Sequence, residues 1–335
     1  MEFSVGVGLT NACDLACAHC YRDVDRIDQL THAQVLSVCD CLPVRSINLG
    51  TGENGLHPDY AAIVGSLAAR GVKLSLTSNG YTVEHSPDET LRAFREIEVS
   101  IDFPIESEQD AFRGAGNWKR VMASIERAQR LGITVTVLSV MMKTNYRRLA
   151  EIARVAFAAG ANYRVNVYQP VRTDAFTLSY REFWDGFRGL LGATRLVSTT
   201  EPILNAMLGE PFKNGSGCGR QTVRVTPRGD VIPCVYWDKS DLRLEDLAKS
   251  GAEGVLASPE FERARTVPDV CRSCPFVASC RGGCAGRRRL GAGVETADPY
   301  CPLVRGDTVA IEWAPAVRRE LLKTGSACTT VLAPA

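Results

Sequence analysis

The sequence predicts an α/β fold: a parallel sheet with helices outside it, followed by a smaller, cysteine-rich region. Two observations predict this. Over roughly the first 170 residues, β-branched apolar runs alternate six times with segments of helical periodicity, the pattern of consecutive strand–helix units. From Cys218 onward the alternation gives way to closely spaced cysteines, which suit a region held by inorganic centres more than by a large apolar core.

In order, residues 3–10 read as a first strand that delivers the chain to Asn11-Ala-Cys-Asp-Leu-Ala-Cys-Ala-His-Cys-Tyr21. Thr31 is an N-cap for a helix to about Cys41. Residues 46–49 form a short strand. A helix from His57 stops at Gly71, a C-terminal glycine signal. Strands are expected at 72–77, 98–102, 133–140 and 163–168, and helices at 87–95, 107–131 and 145–159. Such units imply parallel strands with right-handed crossovers. Periodicity alone leaves an open doubly wound sheet and a curved partial barrel equally open.

Cys13, Cys17 and Cys20 form a C-x3-C-x2-C loop, compact enough to aim three thiolates at one centre. Four thiolates would close a zinc site or an iron–sulfur cube, whereas three leave a vertex open. The plainer alternative is a zinc knuckle completed by His19 or His57. The composition favours metal ligation. Thirteen cysteines accompany no signal peptide, which argues against a disulfide scaffold and for a reducing, cytoplasmic setting. A net charge of +1 and 45% apolar residues give no electrostatic case for nucleic acid or a membrane surface. No apolar run reaches spanning length.

C-x3-C-x2-C followed by an aromatic, here Tyr21, resembles the signature of radical S-adenosylmethionine (SAM) enzymes. The resemblance implies a partial (β/α)6 barrel. It also implies a [4Fe-4S] cluster on Cys13, Cys17 and Cys20, whose fourth iron is chelated by SAM, and a 5′-deoxyadenosyl radical that abstracts hydrogen from substrate. In barrels of this kind, chemistry gathers at the C-terminal strand ends. The second strand ends Gly50-Thr51-Gly52-Glu53, similar to the family's Gly-Gly-Glu contact to the SAM amino group, with Thr51 replacing the first glycine. Glu53 offers a carboxylate to an ammonium. Asn79 could bond a ribose or the methionyl group. Ser100, in Ser-Ile-Asp102, resembles a serine that holds SAM, and Arg113 suits its carboxylate. Val140 suits an apolar wall for adenine.

Past Pro170, residues 179–191 carry an aromatic stripe at helical spacing, read as a core-facing bridging helix. Residues 195–217 suggest a short helix and a Gly-rich loop. A hairpin lies between 222 and 237, and short helices near 241–250 and 258–266. The cysteines run C-x10-G-x4-C, then C-x2-C-x5-C-x3-C, then C: Cys218, Cys234, Cys271, Cys274, Cys280, Cys284 and Cys301. This resembles the SPASM domain, a C-terminal extension with two auxiliary [4Fe-4S] clusters; a zinc ribbon fits only Cys271 and Cys274. The resemblance assigns Cys271, Cys274, Cys280 and Cys301 to an outer cluster and Cys218, Cys234 and Cys284 to an inner one. Relatives often have an eighth cysteine just upstream of the first, which residues 195–217 lack. The inner cluster is therefore expected to have an open iron or an oxygen or nitrogen ligand. Arg281, Arg287, Arg288 and Arg289 either solvate a surface or offset cluster charge. Cys39 and Cys41 read as small buried residues on a helix, with return of a hydrogen atom to a substrate radical as the functional alternative. Cys328 falls in a tail and is assigned nothing.

The expected organisation is a core at 1–170, a bridging segment at 171–217, an auxiliary-cluster domain at 218–303, and a covering helix and tail at 304–335. Three [4Fe-4S] clusters and SAM imply an oxidoreductase fed by a reductant such as flavodoxin or ferredoxin. Asp102, Asp238 and Tyr236 are candidate bases. The first expectation for substrate is a small polar alcohol of the aminocyclitol or aminoglycoside type, since no leader-binding stretch precedes the cysteine loop. Peptide cross-linking or sulfatase maturation is the alternative, and an electron-transfer protein the second.

Overall fold

The computed structural model describes residues 2–209, 217–237, 239–317 and 328–335. Strands β1 (Phe3–Val7), β2 (Val44–Leu49), β3 (Lys73–Ser78), β4 (Phe94–Ser100), β5 (Thr134–Met141) and β6 (Asn162–Val167) pair in sequence order, all parallel. β1 and β6 do not pair with each other, so the barrel is partial. Later segments extend both open edges. β8 (Thr222–Val225) lies parallel to β1 and carries β9 (Val231–Ile232) as its hairpin partner. On the other side β10 (Thr329–Ala333) runs antiparallel between β6 and β7 (Arg195–Thr199).

Alternation along the strands sorts two layers. Ile47, Leu49, Leu74, Leu76, Ile97, Val99, Val135, Val137, Tyr163 and Val165 join the apolar core with residues of the surrounding helices. The residues between them are polar and bond one another across the barrel. Asn48 donates to Ser75 and Thr77. Thr77 donates to Glu98, Thr136 to Glu96, and Arg164 pairs with Glu98. Buried charges of this kind are tolerated only when paired.

Thr31 caps the helix His32–Cys41 with a complete capping box. The expected helix at 87–95 is instead two short ones, Tyr81–His85 and Asp88–Leu91. Pro87 disfavours helical backbone at Ser86, and β4 already begins at Phe94. The expected helix at 107–131 is split into Glu106–Arg113 and Asn117–Arg130 by Gly114 and Gly116, which take φ of 141° and 78°. The bridging helix Tyr180–Gly192 buries Phe183, Trp184, Phe187, Leu190 and Leu191, as its stripe predicts. The covering helix expected at 304–322 is absent from its described part. Only a 3-10 turn, Leu303–Arg305, precedes irregular chain to residue 317, and 318–322 lie outside the described residues.

Candidate active site and thiol groups

The cysteine loop has no regular secondary structure, so side chains hold it. Asn11 donates to the carbonyls of Asp23 and Arg26 and accepts from the Asp28 N–H. Arg22 donates to the carbonyls of Asn11 and Leu15. The end of β2 docks directly on the loop, with Glu53 N–H donating to Ala12 O at 2.7 Å. Gly52 makes that approach possible: a Cβ there would stand 2.4 Å from Ala12 O.

Cys13, Cys17 and Cys20 line a cavity of about 210 Å³ at the C-terminal strand ends, together with Tyr21, Thr51, Gly52, Glu53, Asn79, Ser100, Arg113, Val140 and Tyr236. Thr51 takes φ of 96°, an unusual conformation for a β-branched residue and the reason a glycine suits this position. Its hydroxyl is 2.9 Å from that of Tyr21. It also accepts from Arg224, which donates to Gly50 O as well. Arg224 was not legible as a site residue. It belongs to β8, and only the parallel pairing of β8 with β1 brings it to the cavity.

Glu53 is more structural than expected. Its buried carboxylate accepts from the Ser78 hydroxyl, the Asn79 and Thr82 N–H groups and the Thr82 hydroxyl, so it fixes the turn after β3. Burial raises its carboxyl above the usual range against those donors. Asn79 donates to Asp14 at 2.7 Å and toward Cys13 Sγ at 3.6 Å, tying the β3 end to the loop.

Asp102 is a correction. It is fully buried and does not line the cavity. It pairs with Arg113, which does. The carboxylate expected to face a substrate is thus turned to Arg113, and it positions that side chain. Tyr236 lines the cavity, but burial first, and then the Cys234 thiol, push its phenol well above its usual value, which rules out a resting phenolate. Asp238 lies outside the described residues.

The residues fit a ligand of mixed polarity such as SAM. Asn166 Oδ1 and Gln169 Oε1 belong to cavity-lining residues and have no hydrogen-bond partner among the described residues, while Leu138 and Val140 supply an apolar wall. His19 stacks on Phe112 at 4.9 Å, and burial pushes it down to about 4 against the pull of Asp102. His57 is no metal ligand: Nε2 bonds Leu30 O and Nδ1 accepts from Asp59.

Cys271, Cys274, Cys280 and Cys301 line a separate cavity of about 130 Å³. Cys218, Cys234 and Cys284 form a second buried group with Tyr236 and, unexpectedly, Cys328. Gly286 leaves room beside it, since a Cβ there would lie 3.6 Å from Cys234 Sγ and 3.9 Å from Cys284 Sγ. Among the described residues, no three His, Cys, Asp or Glu side chains are arranged as a ready-made site for a single metal ion; the centres are read from the thiol groupings. Arg287 and Arg288 are buried, which excludes a solvating role for both. Arg287 pairs with Glu201 and Asp298, each at 2.7 Å.

Residues 7–156 match the family model described as the radical SAM superfamily, and residues 217–275 that of an iron–sulfur cluster-binding domain, SPASM. The chain is 28% identical to the mycofactocin maturase MftC of Mycolicibacterium smegmatis, over 94% of this chain and 84% of that one. It is 24% identical to the PqqA peptide cyclase of Methylocella silvestris, over 88% and 86%. Among solved structures it resembles anSMEcpe with bound AdoMet, TM-score 0.71 at 14% identity over 91% of this chain and 95% of that one. It also resembles Streptococcus suis SuiB, TM-score 0.65 at 15% identity over 90% and 77%. At these identities the two structures speak for the fold.

Proposed function

We propose that this chain, a radical SAM enzyme whose core is followed by a SPASM domain, modifies a peptide. Its cofactors are SAM and [4Fe-4S] clusters. The peptide reading rests on one observation: the likeness, over most of the chain, to relatives named as a maturase and a peptide cyclase. Neither name describes an alcohol dehydrogenase or antibiotic biosynthesis, and the peptide reading takes precedence over the aminocyclitol one.

When bound, SAM and its cluster supply one-electron chemistry that removes hydrogen from an unactivated carbon. The chain's own groups do the rest. Cys13, Cys17 and Cys20 would hold the cluster. Arg113, aimed into the cavity by Asp102, would hold a carboxylate. The backbone from Gly50 to Gly52, pinned by Arg224 and Tyr21, would meet the polar end of SAM, and Val140 would bound its apolar face. Asn166 and Gln169 would form part of the polar lining that a substrate meets. Cys271, Cys274, Cys280 and Cys301 would hold the outer auxiliary cluster, and the Cys218 group the inner one, which would supply an electron acceptor. A ferredoxin- or flavodoxin-type protein would deliver the reducing electron. No helix among the described residues is long and apolar enough to cross a membrane.

The test is anaerobic incubation of the reconstituted enzyme with SAM and reductant. One arm contains synthetic peptides translated from short reading frames beside its gene, and the other contains aminocyclitols. A SAM-dependent loss of hydrogen mass in a peptide is expected. Ketone formation from an aminocyclitol, with every peptide unchanged, would overturn the reading.

A further inference from the structure

We propose that Cys328, at the foot of the last strand, is the fourth ligand of the inner auxiliary cluster. This rests on the second cysteine region being an auxiliary-cluster domain and is independent of the peptide reading.

Four observations carry it. Cys328 is 8% exposed and sits in one buried group with Cys218, Cys234 and Cys284. Its thiol is in hydrogen-bonding contact with those of Cys218 and Cys284. Its position is set by the sheet: β10 begins at the next residue and is hydrogen-bonded on both sides, with Thr330 and Leu332 completely buried. Among the described residues, the two carboxylates nearest the group are already engaged. Glu201, close enough to act on Cys284 and Cys328, accepts from Arg287. Asp298 accepts from Arg287 and from the N–H groups of Cys284 and Tyr300. No oxygen or nitrogen ligand is then needed, and the expected open iron is closed by sulfur.

Two consequences follow from the chemistry. A cluster with four thiolates has no vacant iron, so substrate would not coordinate there and the centre would be confined to electron transfer. Because β10 also completes the sheet between β6 and β7, cluster assembly and docking of the C-terminal strand stabilise each other.

The experiment uses the full chain. Changing Cys13, Cys17 and Cys20 to alanine leaves only the auxiliary centres. In that background Cys328→Ala and Cys328→Ser are reconstituted anaerobically. Iron, sulfide and zinc are quantified, and reduced samples are examined by electron paramagnetic resonance with and without 2-mercaptoethanol. The parent spectrum should ignore the added thiol. The alanine variant should either lose iron or show one centre whose signal moves when the thiol is added. Cys39→Ala should behave as the parent. Circular dichroism identifies a variant that does not fold, and in that event the near-isosteric serine decides: a shifted signal supports the ligand role and an unchanged one overturns it. The proposal is equally overturned if the alanine variant matches its parent in iron content, spectrum and indifference to thiol, or if zinc replaces iron. A second readout needs no cluster. Mild oxidation of iron-free protein should link Cys328 to Cys218 or Cys284 in peptide maps, and a Cys328 that remains alkylatable would count against it.

Discussion

Arg113 and Asp102 form a buried ion pair in which Arg113 Nη2 and Nε lie 2.6 Å and 2.8 Å from the same carboxylate oxygen. The other oxygen accepts the Val140 N–H at 2.9 Å. The carboxylate therefore joins the end of β5 to the arginine that faces the cavity. Asp102→Asn should lower stability by about 3 kcal/mol, since it leaves a buried guanidinium without its partner. It should also weaken SAM binding, measured by equilibrium dialysis. Loss of turnover with stability and SAM affinity intact would instead restore Asp102 as the base.

Thr51 is strained by its φ of 96° and compensated by Tyr21 and Arg224. Such a conformation costs about 1–3 kcal/mol. Thr51→Ala keeps the strain and loses the hydroxyl bonds. Thr51→Gly loses the bonds but relieves the strain. Glycine should therefore melt above alanine, the reverse of the order at an ordinary position, where glycine is the less stable by about 0.5–1 kcal/mol. Thermal unfolding of both variants checks this, and an alanine variant more stable than glycine would show that no strain is stored there.

Removal of the first centre tests the separation of the thiol groups. Alanine at Cys13, Cys17 and Cys20 should lower iron from roughly twelve to roughly eight per chain and abolish SAM cleavage. Iron near four in the unaltered protein would contradict the auxiliary centres.

Cys39 and Cys41 pack against the core from the helix His32–Cys41 and do not line the cavity. Cys41→Ala should leave SAM cleavage and product stereochemistry unchanged, at a cost of about 1 kcal/mol in stability. Turnover in D2O followed by mass spectrometry checks it. A product that changed only in that variant would make the thiol a hydrogen donor.

The parallel core was legible because its strands carry their own signals. Residues 133–140 are dense in β-branched side chains, and Thr31 and Gly71 mark helix ends. The cysteine loop was legible because its ligands sit within a few residues of one another. What was hidden depends on contacts distant in sequence. Arg224 reaches Thr51 only because β8 pairs with β1, and nothing in Thr222–Val225 announces which strand it will meet. Cys328 looked idle because its partners lie more than forty residues away and its strand is inserted antiparallel at the far edge of the sheet. The burial of Asp102 against Arg113 was hidden for a similar reason: a strand-end carboxylate and a nearby arginine are legible separately, but their pairing is a matter of packing. The turn glycines Gly114 and Gly116 were visible but outweighed by the helical periodicity on either side.

Tyr236 stands between the two chemistries. Its ring lines the cavity beside the first cysteine loop, meets Tyr21 edge-on at a centroid distance of 6.1 Å, and packs against the inner thiol group. Burial holds its phenol protonated, so its contribution is the ring and the neutral hydroxyl. Tyr236→Phe keeps the ring. It should leave SAM cleavage and the pH profile of turnover unchanged, because burial moves the phenol upward from its usual value. Tyr236→Ala removes the wall between cavity and thiols. It should cost about 3 kcal/mol in stability and admit water to the inner group. SAM cleavage should persist in that variant, while the yield of modified product per SAM consumed falls. The two yields, measured side by side with 5′-deoxyadenosine as the reference, separate the roles. A pH profile displaced in the phenylalanine variant would make the hydroxyl a proton carrier after all. Undiminished yield in the alanine variant would show that Tyr236 has no part in coupling the cavity to the inner group.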